Sequence, residues 1–155
     1  MDPEQRRALV EQINRGMQRN VPHNRALGLE MTDFRHSRGE VWMRLPYAEK
    51  LVGDPSSGVL HGAAITTLMD AACGMAVMVK LGQAEKIATV DLRIDYLKPA
   101  RAGENVIAHT ECFKLTRRIA FVRGLAHCED APDDPIASVA ATFIRRGVRE
   151  KRSES

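Results

Sequence analysis

A single carboxylate, Asp70, sits in the middle of a stretch that carries no other formal charge from Gly62 to Val79. His61 and Gly62 stand just before that stretch opens out. A buried carboxylate without a partner is costly, so one in such a place needs a partner or a task. The task open to it is to hold and deprotonate a water, as a general base. Gly62 falls where the apolar segment begins. If that segment is a helix, its first N–H groups lack intrahelical partners and lie at the positive end of the dipole. Such groups stabilise the oxyanion that forms when a carbonyl is attacked. Glycine lets a substrate approach that backbone closely.

The spacing bears on assembly. At about 1.5 Å rise per residue, His61 or Gly62 lies roughly 12–14 Å from Asp70 along the axis, and about 100° per residue is expected to put them near opposite faces. They cannot act on one carbonyl within one chain. Two such helices packed antiparallel would bring the N-terminus of one beside Asp70 of the other, so a catalytic reading implies a shared-site homodimer. The structural alternatives are plain. Asp70 would bridge paired helices, His61 would cap or order a loop, and Gly62 would allow close helix–sheet packing.

The 155 residues fit one domain with a sizeable core. With 44% apolar and 28% charged residues, the chain has the profile of a soluble globular protein. A net charge of +3 does not point to nucleic acid, but it does not repel an anionic ligand. No aromatic–basic interleaving appears, which also argues against nucleic acid. Cys73, Cys112 and Cys128 are odd in number and show no CxxC spacing. Neither a disulfide framework nor a zinc site is expected, and a cytoplasmic location is. The N-terminus lacks the apolar core of a signal peptide. The run around Asp70 is long enough to test as a membrane span. It is rich in Ala, Gly and Thr, and its central Asp would cost roughly 2.5–3.5 kcal/mol on insertion. A buried helix is the expectation, and no membrane partner.

The elements that must position these residues follow from periodicity. Asp2, Pro3 and Gln5 form a capping-box start, with a stripe of Leu9, Ile13 and Met17 behind them. Pro22 is expected to end that helix, which spans 1–20. Residues 27–35 and 39–46 read as two strands turning at Ser37–Arg38–Gly39. A loop over 47–58 precedes the apolar helix over 60–80, which ends near Gly82. Residues 87–97 alternate, Val90, Leu92, Ile94 and Tyr96 against Asp91, Arg93 and Asp95. That alternation puts Thr89 on the polar face with Asp91. Strands over 104–115, 118–128 and 136–146 complete the pattern. A single domain is expected over 1–147, then a charged tail over 148–155. A helix apolar on every side needs walls on every side; a curled sheet supplies most and a second copy the rest. This is an α+β hotdog architecture, a long central helix wrapped by a curved antiparallel sheet.

At this point the sequence resembles the PaaI-type (phenylacetate-pathway) hotdog thioesterases. The resemblance rests on Gly58-x-x-His61-Gly62-x(7)-Asp70 and on the stretch from Thr89 through Tyr96, Lys98, Pro99 and Arg101 to Gly103. It runs from about Val21 to Arg146. It implies an acyl-CoA thioesterase in which Asp70 activates or orients water and the Gly62 N–H polarises the thioester carbonyl. His61 would shape the site, and Thr89 would assist the water. It further implies a homodimer or dimer of dimers and no metal, with CoA present only as part of the substrate. The chain departs from the family at Pro55, where an amide often helps to hold the thioester; Asp54 beside it is the candidate replacement. Ala63 stands where a second glycine is common.

Gly58 and Ala63 join Asp54 as substrate-side candidates. Lys98, Arg101, Arg117 and Arg118 are candidates for CoA phosphates, the alternative being solvated surface charge. Arg145, Arg146, Arg149, Lys151 and Arg152 read as a solubilising basic run. His23, His36, His109 and His127 show no ligand spacing. The cysteines read as apolar fillers, and Met69, Met75 and Met78 as core or as an adaptable acyl pocket. Two other functions use the same fold: an acyl-CoA-binding domain that does not cleave, and an enoyl-CoA hydratase or dehydratase. The His61–Asp70 spacing fits hydrolysis better than a hydratase, and the presence of Asp70 argues against a domain that only binds.

Overall fold

The computed structural model describes residues 1–146. The expected tail, with Arg149, Lys151 and Arg152, lies outside the described residues. The chain begins with helices α1 (Pro3–Asn20) and α2 (Pro22–Leu27), then strands β1 (Glu30–Arg35) and β2 (Glu40–Leu45). Short strands β3 (Val52–Asp54) and β4 (Val59–Leu60) lead into helix α3 (Gly62–Leu81). Strands β5 (Ile87–Tyr96), β6 (Val106–Leu115), β7 (Ile119–Cys128) and β8 (Pro135–Arg145) follow. Six strands form one antiparallel sheet in the order β1-β2-β6-β7-β8-β5.

Helix α3 packs across the sheet as a core helix. Ala64, Ile65, Leu68, Met69, Ala72, Cys73, Ala76 and Val77 are buried on one side of it. They meet the inward residues of the sheet, among them Met43, Ala108, Val122 and Phe143. Thr110 donates its hydroxyl to the Ala72 carbonyl at 3.0 Å, satisfying a buried polar group inside this core. The helix is long and apolar enough to cross a membrane, and here it forms the centre of the fold. Its other side, with Thr66, Thr67, Asp70, Gly74 and Met78, is only half-buried. The sheet therefore does not wall the helix on every side.

The two sheet edges differ. At β1, helix α1 covers the edge. The Asn14 side-chain amide donates to the Met31 carbonyl (2.9 Å) and accepts from the Met31 N–H (2.8 Å), as a neighbouring strand would. Gln18 donates to the Leu29 carbonyl at 2.9 Å. Side chains thus blunt an edge that could otherwise pair with another chain. At β5, no described strand lies on the outer side.

Several expectations need correction. Pro22 does not merely end the first helix: it opens α2, since a proline at the first helical position gives up only an N–H that had no partner. The loop over 47–58 contains a turn of 3-10 helix at Glu49–Leu51 and strand β3, which pairs with β4. Arg145 is not part of a basic tail. It ends β8 and grips Glu85 with two hydrogen bonds of 3.0 Å, the Glu85 side chain being 4% exposed.

Candidate active site

The site is built on the flank of α3 that faces β5. His61 precedes the helix as its N-cap, and its Nδ1 accepts from the Ala63 N–H at 3.0 Å. That cap uses the second helical N–H and leaves the first. Among the described residues the Gly62 N–H has no acceptor. It is an unused donor at the positive end of a 20-residue helix. Asp70, two turns further on, is half-buried and accepts from the Thr89 hydroxyl at 2.9 Å.

Thr89 reaches Asp70 because β5 carries a bulge. Thr89 pairs with Phe143 and Asp91 with Thr142, so Val90 is the extra residue. The insertion resets the alternation. Thr89 joins Leu92, Ile94 and Tyr96 on the inner face, while Val90 is pushed out and is 61% exposed. The simple period-2 reading, which put Thr89 with Asp91, is corrected by this bulge.

A second correction concerns the helix faces. Tyr96 touches Gly62 and Thr66, Thr89 touches Asp70, and Ile87 lies beside Gly74. All four helix positions therefore share the flank toward β5. Gly62 and Asp70 are not on opposite faces, because their eight-residue spacing amounts to about 80° of net rotation. The axial separation remains, about 12 Å for eight residues. One chain still cannot bring both groups to a single carbonyl.

The remaining candidates scatter. The Asp54 carboxylate is turned into its own loop, accepting from the Ser56 N–H (3.0 Å), the Ser56 hydroxyl (2.7 Å) and the Ser57 hydroxyl (2.9 Å). Those bonds, Ser56's first, hold its carboxyl below the usual range. The loop thus occupies the group meant to replace an amide at Pro55. Gly58 takes a positive φ of 72°, and its carbonyl accepts from the Tyr47 hydroxyl at 3.0 Å, so it serves the turn before β4. Ala63 is exposed beside Gly62. Lys98 pairs with Asp134 and Arg101 with Asp130. Both bases lie just beyond the end of β5 that carries Tyr96. Arg117 and Arg118 sit in the β6–β7 turn, where the Arg118 carbonyl meets the Arg145 N–H. That is the Ile87 end of the sheet, away from Gly62 of the same chain.

The cysteines are buried and free, and burial pushes the Cys73 thiol far above its ordinary range. They do not act as nucleophiles from such positions. Met69 is fully buried core, whereas Met75 and Met78 are half-buried. The residue that sequence reasoning missed is Tyr96, whose hydroxyl donates to the Gly62 carbonyl at 2.8 Å. In the sequence it stood as one apolar position of an alternating strand and within the stretch that carries the family resemblance, with no role of its own.

A helix-terminal donor, a carboxylate with a hydroxyl partner, and an antiparallel sheet around the helix define a class. Residues 57–133 match the thioesterase superfamily. The chain is 31% identical over 138 residues to the medium/long-chain acyl-CoA thioesterase YigI of Salmonella typhimurium, covering 81% of this chain and 86% of that protein. It is 44% identical over 78 residues to a Halobacterium salinarum protein named an esterase, and there it spans only about half (50%) of the relative's length. A solved structure of a mutant phenylacetic acid degradation protein PaaI from Thermus thermophilus is 26% identical. It superposes with a TM-score of 0.67 over 80% of this chain and 98% of that one. The chain belongs to the thioesterase superfamily, and the class of enzyme so defined is a thioester hydrolase with a hotdog fold.

Proposed function

We propose that this protein is an acyl-CoA thioesterase of the PaaI type, whose two reacting halves come from two copies of the chain. The observation that carries this reading is the shared flank of α3. It presents an unused Gly62 N–H at one end and the Asp70–Thr89 pair two turns on, beside a sheet edge that has no neighbour among the described residues. Pairing β5 with its counterpart antiparallel would extend the sheet and bring Gly62 of one copy toward Asp70 of the other. Dimers could pair again without altering this site.

In the proposed reaction, Asp70 accepts a proton from water as the water oxygen bonds to the thioester carbonyl carbon. The carbonyl oxygen becomes an oxyanion and is held by the Gly62 N–H. The Thr89 hydroxyl orients the carboxylate. The tetrahedral intermediate then collapses, the C–S bond breaks, and the proton on Asp70 passes to the leaving sulfur. The products are a free carboxylic acid and CoA, with no cofactor beyond the CoA of the substrate. His61 acts by fixing the helix start. Three free, buried cysteines suit a cytoplasmic location.

The acyl group is the open variable. The YigI likeness supports medium to long chains, and the PaaI likeness supports aryl-acetyl groups. The half-buried Met75 and Met78 could line a pocket for either. Thiol release from a panel of both kinds of ester, run on wild type and Asp70→Asn, tests the reading. Wild type is expected to cleave at least one ester, and Asp70→Asn to lose on the order of a hundredfold or more. Tight binding of esters without thiol release by folded wild type would instead make the chain a non-cleaving acyl-CoA binder. Hydration of crotonyl-CoA would favour a hydratase.

A further inference from the structure

The peptide between Gly62 and Ala63 is gripped at both of its polar ends. Its N–H, from Ala63, donates to His61 Nδ1 at 3.0 Å. Its carbonyl, from Gly62, accepts from the Tyr96 hydroxyl at 2.8 Å. The Thr66 hydroxyl, 2.6 Å from the Tyr96 oxygen and 3.2 Å from the same carbonyl, donates its one proton to one of the two and joins them in a connected group. The phenol of Tyr96 also stands over Gly62: a Cβ there would meet its oxygen and ring edge at 3.4–3.6 Å.

Folding alone does not call for this arrangement. A carbonyl in the first turn of an α-helix already has an intrahelical donor four residues on. The Thr66 hydroxyl sits where a helical threonine ordinarily back-bonds the carbonyl four residues before it, as Thr67 does to Ala63, but the Tyr96 hydroxyl is additional. Tyr96 is also 54% exposed, so the contact is not a by-product of core packing. The residue being held is a glycine, which has the widest backbone freedom. Its N–H is also the donor on which the oxyanion would depend. A donor stabilises a developing charge well only if it is aimed beforehand and need not reorient during the reaction.

We infer that Tyr96 is a positioning residue for hydrolysis. With Thr66, and opposite His61, it locks the Gly62–Ala63 peptide so that the neighbouring Gly62 N–H stays aimed at the oxyanion. The inference rests on the hydrolase reading above. It adds a residue contributed by the edge strand β5, so the same strand carries Thr89 to the carboxylate and Tyr96 to the donor.

The test is steady-state hydrolysis of the best acyl-CoA by wild type, Tyr96→Phe, Thr66→Val, Thr66→Ser and the double variant Tyr96→Phe/Thr66→Val, with a Tm for each. Tyr96→Phe keeps the ring and removes only the hydroxyl. Its kcat is expected to fall about tenfold, a part of the roughly 10²–10³ that a whole oxyanion donor is worth. KM should stay within about twofold, because the aim matters in the transition state rather than in substrate binding. Thr66→Ser should retain activity. The double variant should fall little further than Tyr96→Phe alone, since both hydroxyls serve one lock. A Tyr96→Phe enzyme with kcat within about twofold of wild type overturns the inference and leaves the hydrolase reading standing. A kcat loss that only follows a lowered Tm also overturns it, since the role is then structural. A folded wild type that cleaves no ester overturns both.

Discussion

A hydroxyl that holds a carboxylate in place can be removed without disturbing the core. Thr89→Val keeps the shape of the side chain and removes its 2.9 Å bond to Asp70. The account predicts about a tenfold loss of kcat for Thr89→Val, while Thr89→Ser stays close to wild type. Equal rates for all three proteins would remove Thr89 from the reaction. A second residue-scale prediction concerns the outer face of the sheet. There His109 stacks on Trp42 with ring centroids 4.1 Å apart, and its Nε2 lies 3.4 Å from the buried Glu40 carboxylate. Burial, the largest influence, holds the imidazole below its ordinary range against the pull of Glu40. The unfolded chain therefore takes up this proton first. Stability is full above about pH 6.5, the ordinary imidazole value. It is lost as pH falls from there through the lowered folded value. Wild type should lose more Tm between about pH 7.5 and 5.5 than His109→Phe, which retains a ring on Trp42. Parallel profiles would assign the slope to other groups. At this scale the sequence was most legible where one residue type stood against its surroundings. Asp70 was the lone charge in an apolar run, and Gly62 the glycine at its start. Tyr96 and its carbonyl partner lie 34 residues apart, and no local pattern links a strand phenol to a helix carbonyl.

The bulge in β5 is the element on which the site turns. Period-2 alternation located the strand correctly but gave Thr89 the wrong face. One inserted residue shifts every side chain before it, and nothing about Val90 as a residue type marks it as the extra one. Deleting Val90 is predicted to leave a regular strand in which Thr89 keeps its inner-face position, because Val90 is the extra residue between the Thr89 and Asp91 pairs. Hydrolysis should then fall less than in Thr89→Val, with the far-UV spectrum of the sheet retained. A folded deletion variant that loses as much activity as Thr89→Val would mean that Thr89 has left the inner face. The covered edge offers a stability test. Asn14→Ala leaves both the N–H and the carbonyl of Met31 without their amide partner. A loss of about 1–2 kcal/mol is expected for two part-buried backbone bonds, read from urea denaturation. The helices and long strands were legible in outline, because hydrophobic period and capping residues are local. The role of Asn14 was not, since a polar residue on a helix carries no sign that a strand edge lies beside it. The helix-face geometry was misjudged for a simpler reason. Nine residues from His61 give half a turn, but the first helical residue is Gly62, and eight residues give only about 80°.

At the scale of the whole molecule, the chain shields one edge of its sheet and, among the described residues, leaves the other open. It also half-exposes the flank of α3 that holds Gly62 and Asp70. Those two features coincide at β5. The hotdog architecture could be reasoned from an all-round apolar helix followed by four strands, but the particular edge left free could not, because strand order depends on contacts remote in sequence. The central claim is that Gly62 of one copy works with Asp70 of the other, and subunit mixing tests it most directly. Gly62→Pro removes the donor and suits the first helical position. His61, with φ −62° and ψ 136°, already has the extended backbone that precedes a proline. Gly62→Pro and Asp70→Asn should each fold and each be inactive alone. Refolded together, they should recover about a quarter of wild-type activity, as expected when half of the dimers are mixed and one of two sites in each mixed dimer holds both intact groups. A mixture as inactive as its two components, with mixed dimers shown to be present, would contradict the shared site.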